Sequence, residues 1–233
     1  MSSLPTLLLL PGLLCDARLW REQVAGLADC AQCVVADLTL DDRLGPMAAR
    51  ALAALPEGPV SVAGLSMGGY VALEVMRQAA PRISRLALLD TSARADTPEQ
   101  SRRRRGLLAL SEAGHFRGVT PRLLPSLLHP DNLAGPLGAE VMAMAERVGR
   151  PAFHRQQRAI MHRSDSRPDL PFIRVPTLVA VGEGDVLTPP ELAAEMAAAI
   201  PGARLASLPG CGHLPPMEAP GLVTQLLREW LAA

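Results

Sequence analysis

The sequence predicts an α/β fold: a three-layer α/β/α sandwich around a mostly parallel sheet of about six strands, with an inserted helical cap. Three observations predict it. Short apolar runs alternate with helical patterns along most of the chain. The runs are continuous in hydrophobicity, as strands buried on both faces of a parallel sheet require. One connection of about eighty residues carries helical patterns without a clear strand, and a structureless loop of that length is not expected. The 233 residues, 48% hydrophobic and 20% charged, suit one domain with a sizeable core and exclude intrinsic disorder.

Strand-like runs are expected at Thr6–Leu10, Cys33–Asp37, Pro59–Ala63, Arg85–Leu89, Thr177–Val181 and Arg204–Leu208. Helical patterns fall between them at Arg18–Leu27, Gly45–Leu55, Met67–Ala80, Pro190–Ile200 and Ala219–Leu231. The cap is expected to hold helices near Pro98–Glu112, Arg117–Leu128, Leu137–Val148 and Ala152–His162. The chain thus reads as one domain, with a core of residues 1–92 and 169–233 and a cap insertion at 93–168. Ligands of such sheets lie beyond the carboxyl ends of the strands.

The net charge of +0 conceals an asymmetry. Every basic side chain is arginine, and Ala93 to Pro168 holds 13 Arg against 7 Asp/Glu. A basic cap is therefore set in an acidic body, which bears on which substrates it attracts. A neutral total with six aromatic residues excludes a nucleic-acid binder. The apolar run Leu7 to Leu10 is halted by Pro11-Gly12 and lacks a preceding basic segment. Neither a signal peptide nor a membrane span is expected, and the protein reads as soluble and cytoplasmic. Cys30 and Cys33 have C-x-x-C spacing, but no second Cys/His pair accompanies them. They read as ordinary thiols, together with Cys15 and Cys211.

The chemistry concentrates in three places. Gly64-Leu65-Ser66-Met67-Gly68-Gly69 follows one strand and opens a helix, which is the strand–turn–helix setting of the G-x-S-x-G nucleophile elbow. The turn is so sharp that Ser66 takes strained angles, and side chains at positions 64 and 68 would collide with neighbouring backbone. The amide of Met67 is then placed to stabilise an oxyanion. Asp185 lies in the loop after strand Thr177–Val181, and His213 in the loop after Arg204–Leu208. Both loops open on the sheet edge where Ser66 stands. A serine hydroxyl needs an adjacent base near neutral pH. His213 can accept its proton, and Asp185 can fix the tautomer.

With Leu7-Leu8-Leu9-Leu10-Pro11-Gly12, the elbow, Val175-Pro176-Thr177-Leu178 leading to Gly182 and Asp185, and Gly212-His213 backed by Glu218 and Pro220, the sequence resembles the α/β-hydrolase superfamily. The likeness extends over nearly all of the chain outside the cap and points to its capped serine esterases. Pro11-Gly12 stands where such proteins often carry His-Gly, and the two customary leading antiparallel strands are absent. The resemblance implies Ser66, Asp185 and His213 as a catalytic triad. It adds the backbone amide of Leu13 as second oxyanion donor beside Met67. No metal or organic cofactor is implied. The implied activity is hydrolysis of a small-molecule carboxylic ester, with an anionic ester or an acyl-carrier protein as candidate partner. A lactonase, an acyl-carrier methyl esterase or thioesterase, and a carbon–carbon bond hydrolase share the machinery. A receptor-like ligand-binding protein with negligible turnover is the alternative of another class.

Other residues are weighed against these. Asp90, at the end of strand Arg85–Leu89, is the rival triad acid, although Asp185 occupies the commoner position. His115, His129, His154 and His162 lack metal-ligand spacing and read as surface or pocket residues. Met142, Met144 and Met161 read as helix packing or an adaptable acyl pocket. Arg102–Arg105 fan through roughly 300° of a helix, so only Arg102 and Arg105 share a face. Arg155, Arg158 and His162 form a second stripe. Both groups read first as solvated faces.

Overall fold

The computed structural model describes residues 4–233. One sheet contains β1 (Thr6–Leu10), β2 (Gln32–Val35), β3 (Val60–Leu65), β4 (Ile83–Leu89), β5 (Thr177–Gly182) and β6 (Arg204–Leu208). The order is β2-β1-β3-β4-β5-β6, and every pairing is parallel. The helices are α1 (Arg21–Gly26), α2 (Leu44–Ala53), α3 (Met67–Ala79), α4 (Pro98–Leu110), α5 (Leu137–Met161), α6 (Pro190–Ala199), α7 (Pro215–Glu218) and α8 (Pro220–Ala232).

Side chains alternate across a strand, so β1 feeds two separate cores. Leu8 and Leu10 pack with Met47 of α2, Val71 of α3 and Met196 of α6. Leu7 and Leu9 pack with Trp20 and with Leu227 and Trp230 of α8. All four leucines are fully buried, and each contributes about 1.5–3 kcal/mol of transfer free energy. This is why the run is continuous rather than alternating. The two edge strands differ: β2 is half-buried and β6 is largely exposed apart from Leu208. Each has a neighbouring strand on only one side.

The chain leaves β1 for β2 at one edge and returns to β3 on the other side of β1. Strand order therefore reverses between β1 and β3, and the loops leaving their carboxyl ends diverge to form a crevice. Ser66 follows β3 directly, and Gly12 and Leu13 follow β1.

The segment between β4 and β5 supplies α4 and α5. Thr97 and Gln100 form a reciprocal capping box, and Pro98 occupies the first turn, which fixes the start of α4. The two expected helices in the second half are the halves of α5, separated at Gly149 (φ 75°, ψ 173°) just before Pro151. The expected helix at Arg117–Leu128 is not formed. Gly118 takes φ 59°, and only a single 3-10 turn appears, at Leu124–Ser126. Pro121 and Pro125 remove two backbone donors from that stretch. Leu124 and Leu128 still reach the core, so their apolar spacing reports burial without a helix. Among the described residues, no helix is long and apolar enough to cross a membrane.

Candidate active site

Ser66 stands between β3 and α3 with φ 56° and ψ −115°. A non-glycine residue there carries about 1–3 kcal/mol of strain, so its surroundings must hold it. The Ser66 amide donates to Leu89 O (3.0 Å), and its carbonyl accepts from Gly69 N (2.9 Å). Thr91 Oγ1 donates to the same carbonyl at 2.7 Å. The flanking glycines are sterically required. A Cβ at Gly64 would lie 2.3 Å from Gly68 O, and one at Gly68 only 2.0 Å from Leu10 O.

The three side chains singled out by the sequence meet here. Ser66 Oγ lies 2.9 Å from His213 Nε2, and His213 Nδ1 lies 2.8 Å from Asp185 Oδ2. His213 and Asp185 are both buried. Asp185 Oδ1 accepts from the amides of Leu187 (2.8 Å) and Thr188 (3.1 Å), while Thr188 Oγ1 donates to Oδ2 at 2.6 Å. Burial pulls the Asp185 carboxyl upward, but His213 and the Thr188 donors outweigh it and leave the carboxyl below its ordinary range. An ionised Asp185 keeps a proton on Nδ1 and leaves Nε2 free to accept one. Thr188 is a site residue that the sequence reading missed. An Asp followed three positions on by Thr, a pattern for side-chain-to-backbone capping, was its available signal.

Glu218 fixes the histidine loop. Its Oε1 accepts from Gly212 N (2.8 Å) and Leu214 N (3.1 Å), and its Oε2 accepts from His129 N (2.7 Å) and Asn132 Nδ2 (2.9 Å). His213 N donates to Leu127 O at 2.9 Å. The segment that failed to become a helix thus supplies an acceptor for the loop that carries His213.

Among the described residues, Asp90 makes no hydrogen bond to His213, whose two ring nitrogens face Asp185 and Ser66. It is fully buried with φ 45°, and its Oδ1 accepts from Gly182 N at 2.8 Å. Its Oδ2 has no hydrogen-bond partner among the described residues. One donor atom each from Asp90, Asp185 and His213 lies within 4.8 Å of the others. Burial first, and the Asp185 charge second, push the Asp90 carboxyl well above the ordinary range. Burial thus favours the protonated form of Asp90, whereas the donors around Asp185 favour its ionised form.

Two amides fit the oxyanion expectation. Met67 opens α3, so its N–H is one of the unpaired donors at a helix start. The Leu13 and Met67 N–H groups both lack a protein acceptor among the described residues. The next amide is spoken for: Leu14 (φ 58°) donates to Gln156 Oε1 at 3.0 Å, and Gln156 Nε2 donates to Leu38 O at 3.2 Å. Gln156, from α5, was not singled out by sequence because a lone glutamine on a helix carries no motif.

Ser66, His213 and Leu13 open on a cavity of about 580 Å³ beneath the cap. Leu107, Val141, Met144, Phe153 and Ile160 give it apolar walls. Met144 lines it, whereas Met142 and Met161 pack against the clusters behind its wall. Arg102 and Arg105, read from the sequence as a solvated face, are exposed and lie outside the cavity. Arg102 pairs with Glu99 at 2.8 Å, and Arg103 and Arg104 line the wall instead. His115 also lines it. Arg155 is turned to the body, donating to Thr39 O at 2.6 Å. The four cysteines are free. Burial pushes the thiols of Cys15 and Cys211 up to about 12 and that of Cys33 up to about 11, which makes them poor nucleophiles.

The sequence pattern of the alpha/beta hydrolase family matches residues 7–226. The chain belongs to that family. Within it, the fold is close to a thermophilic esterase from Thermogutta terrifontis solved with malate bound: 31% identity, TM-score 0.89, covering 98% of this chain and 89% of that one. An enol-lactonase from Burkholderia xenovorans LB400 has the same fold at 24% identity and TM-score 0.89, covering 100% of this chain and 93% of that one. In sequence, a pimeloyl-[acyl-carrier protein] methyl ester esterase from Aromatoleum aromaticum is 32% identical over 72% of this chain and 73% of its own. This alpha/beta hydrolase therefore has esterases among its relatives.

Proposed function

We propose that this alpha/beta hydrolase cleaves carboxylic esters of small molecules through an acyl-enzyme on Ser66. The observation that carries the reading is the hydrogen-bonded chain Ser66 Oγ–His213 Nε2–His213 Nδ1–Asp185 Oδ2, at 2.9 Å and 2.8 Å. His213 Nε2 takes the hydroxyl proton as Oγ attacks the ester carbonyl. The carbonyl oxygen becomes an oxyanion facing the Leu13 and Met67 amides. The imidazolium, stabilised by ionised Asp185, gives its proton to the departing alcohol, leaving an acyl-Ser66 ester. Water then attacks that ester while His213 takes a water proton, and Ser66 leaves with a proton returned from His213. The relatives named as esterases support an ester in preference to another acyl compound.

The test is turnover of p-nitrophenyl esters by the native protein and by Ser66→Ala. The rate should fall by about four to six orders of magnitude with an unchanged thermal transition. An alanine variant that keeps a tenth of the native rate would remove Ser66 as nucleophile. Lactones and acyl thioesters run in the same screen rank the related acyl substrates.

A further inference from the structure

The cavity wall is electrically one-sided. Arg94, Arg103, Arg104, Arg117 and Arg163 line it, and no aspartate or glutamate does. Arg94 is neutralised at the surface by Glu195, with contacts of 2.9 Å and 3.0 Å. Arg103 and Arg117 have no ion-pair partner among the described residues. The remaining two share one carboxylate. Arg104 Nε donates to Asp96 Oδ2 at 2.8 Å, and Arg163 Nη1 donates to Asp96 Oδ1. Their side chains are 21% and 5% exposed, and that of Asp96 is 1% exposed. Two largely buried guanidiniums around a single buried carboxylate leave one positive charge without a counter-ion next to the cavity, where screening by water is weak.

The geometry of the pair is that of a prepared anion site. Arg163 is held by Arg94 O (2.9 Å) and Ile160 O (3.1 Å), and lies over the Tyr70 ring at 4.3 Å. Arg104 Nη1 donates to Gln157 Oε1 at 2.8 Å. The Nη2 group of each has no protein acceptor among the described residues. Rigid guanidiniums with spare N–H donors are suited to a carboxylate and lose little entropy in holding one. We propose that Arg104 and Arg163 form a carboxylate subsite, so that the preferred substrates are esters carrying a separate ionised carboxylate. The inference rests on the esterase reading of Ser66 and narrows its substrate class.

The test separates binding from turnover. Equilibrium binding is measured by calorimetry on Ser66→Ala for a p-nitrophenyl hemiester of a dicarboxylic acid and for its carboxamide analogue, over a series of chain lengths. The carboxylate ester should bind about ten- to a hundredfold more tightly at its best length. The gap should narrow at least several-fold when Arg104→Gln or Arg163→Gln is added, and should persist with Arg105→Gln, which is outside the cavity. Asp96→Asn, which removes the one competing anion, should widen it. Each gap is a ratio within one protein, so a partly weakened fold cancels. Equal affinities for the two esters, or a gap that neither arginine substitution narrows, would overturn the subsite. Hydrolysis of the same esters by the native protein reports separately on the esterase reading, which fails alone if neither is cleaved.

Discussion

At the residue scale, the two neighbouring carboxyls are set apart by their surroundings. Asp185 meets an imidazole, a hydroxyl and two amides, and stays ionised. Asp90 meets one amide and a second carboxylate in full burial, which favours its protonated form. Asp185→Asn should therefore lower kcat/KM by about a thousand- to ten-thousandfold, because the amide no longer fixes the His213 tautomer. Asp90→Asn keeps an oxygen for Gly182 and remains uncharged, so its loss should stay within about tenfold. The reverse ranking in steady-state kinetics would move the triad acid to Asp90. Stability has its own signature. The folded Asp90 carboxyl is raised above its unfolded value of about 4. As pH rises from that value toward the raised one, the unfolded chain gives up a proton that the folded chain retains, and stability falls. Asp185 has the opposite sign: its contribution is lost as pH falls through its lowered value. The Tm of Asp90→Asn relative to native protein should thus increase from pH 4 to pH 8, and a constant or shrinking difference in melting curves would contradict a buried neutral acid.

At the element scale, the site depends on how closely β3, α3 and the loop after β1 approach. Gly68→Ala would place a methyl 2.0 Å from Leu10 O. Backbone must move, at a cost of about 3 kcal/mol or more, which for a chain of this size is about 6–12 °C in Tm. A melting temperature unchanged by Gly68→Ala would contradict this steric demand at the elbow. This steric demand is also why the elbow was legible in the sequence: G-x-S-x-G is a backbone requirement written in residues. The strands were equally legible, Thr6–Leu10 and Arg204–Leu208 to the residue and the other four within about two residues. Asp185 and His213 could be placed because each follows a strand of the same parallel sheet. The cap was less legible. Leu124 and Leu128 have helical spacing yet bury from a turn, since Pro121, Pro125 and Gly118 decide the local backbone. Thr188, Gln156 and Glu218 act through hydrogen bonds to a few backbone and side-chain groups, Thr188 to Asp185 close by and the other two to other segments as well. Such contacts leave little periodicity to detect, although Glu218 stood in the motif behind His213.

At the scale of the whole molecule, the opposed charges of cap and body have two uses. Some cap arginines tie the insertion down: Arg147 to Asp16 (2.8 Å) and Arg94 to Glu195 (2.9 Å). Arg18 of the body reaches Glu140 of α5 at 2.5 Å in the other direction. Exposed pairs of this kind contribute about 0–1 kcal/mol each, so they orient the cap more than they stabilise it. Of the other cap arginines, Arg103, Arg104, Arg117 and Arg163 line the cavity. The basic excess seen in the sequence is thus divided between attachment and the wall above Ser66, a division that composition could not reveal because it depends on which way each side chain turns. The proposed ester hydrolysis requires that Ser66 is acylated during turnover. The direct measurement is the intact mass of the protein after rapid acid quenching from a slowly deacylated ester, followed by peptide mapping. The account predicts one acyl group per chain, on the peptide containing Ser66, absent in Ser66→Ala and strongly reduced in His213→Ala. Steady ester turnover with no acyl adduct under conditions where a fluorophosphonate fails to label Ser66, or an adduct mapping to another residue, would contradict it.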